Sequence, residues 1–244
     1  VQPFFVAMTR DLIRLLGSAT SDGIGWRVDL RLRPDPGATA VSIDLTAAIS
    51  YYESIARTWE RAAFIRARPV AGDLALGNSS LEQIQPFIWR KTLDYTGMED
   101  MKTKLRRPAQ GNGWRGYNLT TGKNGIRQIE FFTHVLQLVA GGRDKELRHR
   151  NSLAALHVLA AATWITNEQA AALGTAYHQL RRIEHRLQMI ADNQTHSLPR
   201  GDEDLEKFAH FMGHHTAADF CNKLDNLLDQ VGANAKHDLL NPAD

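Results

Sequence analysis

Val28-Asp29-Leu30-Arg31-Leu32-Arg33-Pro34 alternates apolar and charged side chains, with Val28, Leu30 and Leu32 in one set and Asp29, Arg31 and Arg33 in the other. That period of two predicts a half-buried strand with its charged side chains on the open face. Pro34 would end the ladder because proline has no N–H to donate, and Asp35-Pro36-Gly37 would turn the chain. Two readings fit the pattern. A carboxylate beside two guanidiniums suits a metal-bound polyphosphate, with Asp29 on Mg²⁺ and the Arg31 and Arg33 forks on phosphate oxygens. The same residues also suit an edge strand with a solvated charged face.

Outward from this stretch the apolar period changes to that of helices. Before it, residues 4–16 carry Phe5, Met8, Leu12, Leu15 and Leu16 at helical spacing, and Gly17 reads as the stop. The chain thus begins inside a helical pattern and without Met, which predicts a piece of a longer protein. After it, helices are predicted over 42–57, 59–67 and 81–95, with a short basic helix over 98–107. Pro108 to Gly125 is rich in glycine and proline and reads as a linker with a short extended or hairpin stretch near 114–120. From Gly125 on the pattern is helical throughout: 126–140, 152–162, 167–192, 204–212 and 216–234. Short loops between these segments predict an antiparallel helical bundle that folds as a unit.

Composition narrows the class. The chain has 244 residues, 43% hydrophobic and 23% charged, as in an ordinary globular protein. Its net charge of +2, from 29 basic against 27 acidic residues, gives no nucleic-acid signature. One cysteine, Cys221, permits no intrachain disulfide and suits a reducing cytoplasm. No apolar run approaches a membrane span. Cys221 lies among Phe220 and Leu224 and reads as a core thiol. His210, His214 and His215 have a spacing that could bind metal, but no cysteine or carboxylate completes a recognisable zinc set. Asp202, Glu203 and Asp204 read as helix-start acids.

Five stretches in order carry a resemblance: VDLRLRP at 28–34, YYESIARTWERAAFIRARPVAGD at 51–73, GIRQIEF at 125–131, LQLVAGG at 136–142 and LRRIEHRLQMIADNQTHSLP at 180–199. Together they resemble the bacterial bifunctional glutamine synthetase adenylyltransferase/adenylyl-removing enzymes, over about residues 1–215. The stretch at 180–199 is most similar to the N-terminal, adenylyl-removing half.

The resemblance implies an α+β, mostly α fold. Residues 1–107 would be the C-terminal part of a polymerase-β-like nucleotidyltransferase domain, 108–117 a linker, and 118–244 the helical bundle. It implies a nucleotidyltransferase that removes AMP from glutamine synthetase by phosphorolysis, giving ADP, in the cytoplasm. The alternatives are the half that uses ATP to adenylylate glutamine synthetase, and a non-catalytic helical module that binds glutamine synthetase or the PII signalling protein. Asp29 stands where the family's third catalytic acid belongs, as a ligand of Mg²⁺. Arg31, Arg33, Glu60, Arg61, Arg66 and Arg68 would border nucleotide or phosphate, and Arg127 and Glu130 would contribute from the glycine loop. Glu60 and Arg61 also suit a plain interhelical ion pair.

Three departures qualify the carry-over. The family's two leading acids fall before Val1, so residues 1–244 alone are expected to be inactive. Gln128 stands where the family has an acid, and Thr120 where it has a lysine.

Overall fold

The computed structural model describes residues 2–21, 23–91, 113–190 and 194–236. The chain divides into two compact units, Val1–Arg90 and Lys91–Asp244. The predicted basic helix over 98–107 and the start of the predicted linker lie outside the described residues.

The first unit starts with α1, Gln2–Gly17, whose amphipathic pattern follows the predicted span but buries none of its residues. A two-residue antiparallel ladder follows, β1 Ala19–Thr20 with β2 Gly23–Ile24. Three helices make the core: α2 Leu45–Ser54, α3 Thr58–Phe64 and α4 Leu74–Ile88. Asp44 caps α2 by accepting from the Ala47 N–H at 2.9 Å, and Asp73 caps α4 through the Leu76 N–H at 2.9 Å. The Asp73 cap explains why α4 begins seven residues before the predicted start at 81. Tyr52, Ile65, Ile84, Phe87 and Ile88 are buried together with the Trp89 ring. The Tyr52 ring meets Phe64 edge-on at 4.9 Å and Phe87 at 5.3 Å, geometries that suit the aromatic quadrupoles.

The predicted strand over 28–34 does not form. A strand needs a neighbour to take its backbone donors and acceptors, and an isolated one is not stable in water. Here the side chains take over that role. Asp29 Oδ1 accepts from the backbone N–H of Arg31 at 2.9 Å, a local turn that competes with extended pairing. The expected alternation of burial survives only over Val28 to Arg31; Leu32 is exposed and Pro34 buried. Among the described residues, β structure amounts to the β1–β2 ladder and one bridge between Asn118 and Ser197. The fold is mostly α, and its β part is smaller than the sequence pattern suggests.

The second unit packs five helices: α5 Ile126–Ala140, α6 Ser152–Ala161, α7 Asn167–Met189, α8 Asp202–Phe211 and α9 Ala217–Asn234. Each begins within two residues of its predicted start. Side-chain caps account for three of these starts. Asn151 accepts from Leu153 and Ala154, Thr166 and Gln169 form a reciprocal capping box, and Thr216 accepts from Asp219. The long α7 is central, packing against α5, α6 and α9. It buries Leu173, Ala176, Leu180, Ile183 and Leu187, one stripe at alternating spacings of three and four. Cys221 is buried on α9 as expected, and burial pushes its thiol up.

The extended stretch near 114–120 finds a partner 79 residues away instead of a local hairpin. Residues 116–119 run beside the strap 196–199, with the Leu119 N–H on His196 O at 2.8 Å and the Leu198 N–H on Tyr117 O at 2.9 Å. Leu119 and Leu198 plug this ribbon into the core at 0% and 2% exposure.

Candidate functional site

The predicted site residues of the first unit occupy three places. Asp29 and Arg31 sit together on the surface. Arg31 Nε reaches both Asp29 carboxylate oxygens, at 3.0 and 2.9 Å, and its terminal nitrogen lies 2.5 Å from Oδ2. The hydrogen bonds from the Arg31 side chain, then from its backbone, draw the Asp29 carboxyl down to about 2. It is therefore ionised at neutral pH, as a metal ligand must be, but the Arg31 fork already occupies it.

Arg33 points into the following turn. Its guanidinium donates to Pro36 O at 2.6 Å and Thr39 O at 3.1 Å, and the Thr39 hydroxyl bonds back to Pro34 O and Asp35 O. Asp35 takes a left-handed φ of 37° in this turn. Arg33 thus braces the Asp-Pro-Gly turn.

Glu60 and Arg61 are buried at 3% exposure each. Glu60 Oε1 accepts from the Arg57 N–H at 2.9 Å and the Tyr51 hydroxyl at 3.3 Å, so it serves the start of α3. Arg61 Nε donates to Ile88 O at 3.0 Å and satisfies a terminal carbonyl of α4. Arg66 is half-buried just past α3, and Arg68 is exposed beyond it.

The second unit holds a denser polar cluster, and sequence reasoning missed most of it. Tyr177, Arg181 and Glu184 rise from α7 at spacings of four and three, so they share a helix face. Glu130 on α5 accepts from Arg181 at 2.8 Å and from the Tyr177 hydroxyl at 3.1 Å. Arg181 also donates to Glu184 Oε2 at 2.6 Å. Glu184 Oε1 accepts from the Thr120 hydroxyl at 2.6 Å and lies 2.7 Å from His196 Nδ1. An ionised carboxylate only accepts, so Nδ1 of His196 carries the proton in that contact.

Glu184 has a side-chain exposure of 2%. Burial alone would push its carboxyl up, but the hydrogen bonds from Thr120, Arg181 and His196 outweigh that and hold it below the usual glutamate range. Burial likewise disfavours the charge on Arg181, and its bonds to Glu184 and Tyr177 more than restore it. The cluster sets two carboxylates, Glu130 and Glu184, around the Arg181 guanidinium.

Of the two predicted loop residues, Glu130 is part of this cluster and Arg127 lies exposed on the first turn of α5. Thr120 makes its side-chain contact with Glu184, whereas Gln128 Oε1 accepts from the Asn124 N–H at 3.3 Å. The two departures from the family pattern therefore do not face each other. A signal for Glu184 was present in the sequence: it stands four after Leu180 and three before Leu187, inside the apolar stripe. Nothing local marks His196.

His210, His214 and His215 go to different partners. His210 Nε2 lies 2.8 Å from His215 O, and His214 Nδ1 lies 3.1 Å from Asp219. The acids at 202–204 start α8, with Asp202 paired to Arg115 at 2.5 Å. Among the described residues no group of three His, Cys, Asp or Glu side chains is placed to hold a metal ion, and no helix is long and apolar enough to cross a membrane.

Comparison with known proteins is consistent along the chain. Residues 1–83 match the family model described as glutamate-ammonia ligase adenylyltransferase. Residues 98–237 match the one described as GlnD PII-uridylyltransferase. The bifunctional glutamine synthetase adenylyltransferase/adenylyl-removing enzyme of Rhodopseudomonas palustris is 47% identical over 94% of this chain and 24% of its own length. The protein of that name from Xanthobacter autotrophicus is 47% identical over 99% of this chain and 25% of its own length. One from a Bradyrhizobium species is 50% identical over 91% of this chain and 23% of its own length. The chain spans about a quarter of the length of these relatives. It belongs to the family of bifunctional glutamine synthetase adenylyltransferase/adenylyl-removing enzymes.

Proposed function

We propose that these residues are part of the adenylyl-removing half of such an enzyme, acting on adenylylated glutamine synthetase. The observation that carries the reading is near-half identity across almost the whole chain to proteins named for both activities. The choice of half rests on the resemblance of residues 180–199. In the proposed reaction a phosphate oxygen attacks the phosphorus of adenylyl-tyrosine. The bond to the tyrosine oxygen breaks, that oxygen takes a proton, and ADP leaves.

In the first unit the proposal gives phosphate contact to Arg31, Arg66 and Arg68, the last exposed beyond α3. Arg33, Glu60 and Arg61 act indirectly, by bracing the turn and the helix ends next to them. Mg²⁺ is the proposed cofactor of the parent reaction, where it would neutralise phosphate charge. The described residues do not complete its site: Asp29 would supply one carboxylate, here held by Arg31, and such an ion needs several oxygen ligands. Residues 1–244 by themselves are proposed to release no ADP.

The test uses the full-length parent enzyme with adenylylated glutamine synthetase and phosphate, following ADP. Asp29→Asn should lower the rate on the order of 10²-fold or more, equal to about 2.7 kcal/mol of barrier. Near-wild-type turnover of that variant would remove Asp29 from the chemistry. A parent whose activity at this half consumes ATP and adds AMP would replace the reading with the adenylyltransferase one.

One observation favours a second reading for the helical unit. It matches a family model named for a PII-uridylyltransferase. We infer from it a docking module for PII or glutamine synthetase, independent of the chemistry. Pull-down of either protein by residues 1–244 would support it, and absence of binding to both would dismiss it.

A further inference from the structure

We propose that Glu184 is a positioning residue: a buried latch that seats the 116–120 segment and the 194–199 strap on α7 and thereby sets the first turn of α5. This inference rests on geometry and is independent of which half-reaction the parent performs.

One oxygen does two jobs. Glu184 Oε1 accepts from Thr120 on the first segment and from His196 on the second. The two segments are joined to each other by the bridge between Asn118 and Ser197 and by the backbone bonds at Leu119 and Leu198. From there the path continues into α5 through two residues. The Leu119 carbonyl accepts from Ile126 at 2.9 Å, and the Thr120 carbonyl accepts from Arg127 at 3.0 Å. These bonds occupy amides at the helix start that no capping side chain serves, because the N-cap is Gly125. Glu184 is thus linked by two hydrogen bonds, Thr120 to Glu184 and Arg127 to Thr120, to the turn bearing Arg127.

The arrangement is also sterically tight. A Cβ at Gly122 would lie 2.4 Å from Asn118 O, and one at Gly125 would lie 2.4 Å from Leu119 O. Glycine at both positions is what lets the loop backbone pack this closely. Arg181 holds the other Glu184 oxygen and fixes the carboxylate plane.

Site-resolved amide exchange on the 244-residue chain tests this. In Glu184→Gln, exchange at Leu119, Ile126, Arg127 and Leu198 should rise about tenfold or more beyond any change at Leu156 in α6 and Leu228 in α9. Thr120→Val, close to isosteric, removes only the hydroxyl and should reproduce the same pattern if Glu184→Gln fails to fold. Thr120→Ser keeps the hydroxyl and should restore the wild-type pattern. A uniform change at all six amides, or none at the first four, would overturn the latch and leave Glu184 as an ordinary core contact.

Discussion

Replacing Glu184 by glutamine tests the energetics of the cluster directly. The side chain is 2% exposed and receives bonds from Thr120, Arg181 and His196. Each bond to a charged group is worth about 1.5–3 kcal/mol, and breaking a buried ion pair outright costs about 3–5 kcal/mol. Glutamine keeps the shape and one acceptor oxygen. The Thr120 hydroxyl can turn to accept, and Arg181 retains Glu130. The loss should therefore fall below the full pair cost, at about 2 kcal/mol. For a chain of this length that is about 4–8 °C in melting temperature. Glu184→Ala removes the acceptor of Thr120 and His196 and one of the two carboxylates on Arg181, and should cost about 3–5 kcal/mol.

The pH dependence has a definite sign. The folded carboxyl lies below its ordinary value, so its stabilisation is present above the unfolded range and fades as pH falls through the folded value. The gap between wild type and Glu184→Gln should be widest near neutral pH and narrow below about pH 4.5. Urea unfolding at pH 7 and at steps down to pH 3.5 measures it. A gap under about 0.5 kcal/mol at pH 7, or one that grows with acid, would refute the claim that a charged Glu184 holds this cluster.

Three further outcomes are expected. Gly125→Ala would drive a Cβ into the backbone carbonyl oxygen of Leu119, which cannot swing aside; the variant should lose about 1–3 kcal/mol by thermal melting. Asp29→Asn should leave the melting temperature of the 244-residue chain unchanged, since the Asp29–Arg31 pair is solvent-screened, with side-chain exposures of 40% and 80%. Residues 113–236 expressed alone should unfold in one cooperative transition followed by circular dichroism, because their core closes on itself.

The helical half was legible in the sequence because its signals are local. Apolar spacing defines each buried stripe, as along Leu173 to Leu187, and the caps at Asn151, Thr166 and Thr216 act within three residues of themselves. The membership of the chain was legible too, since ordered motifs need no coordinates. The strand at 28–34 was misread because its alternation is real but strand formation depends on a neighbour elsewhere in space, and Asp29 and Arg31 satisfied each other first. The charged residues at 60 and 61 suit both a ligand contact and an interhelical ion pair by sequence. Only packing shows that their bonds go to helix ends. Tertiary structure alone decided the Glu184 cluster, whose members come from a loop, two helices and a strap. No local pattern can announce a partner 64 residues away, as between Thr120 and Glu184. What the sequence determined was which segments coil and which faces are apolar. Which polar groups meet was decided by closure of the core, because a buried carboxylate persists only where the folded chain brings donors to it.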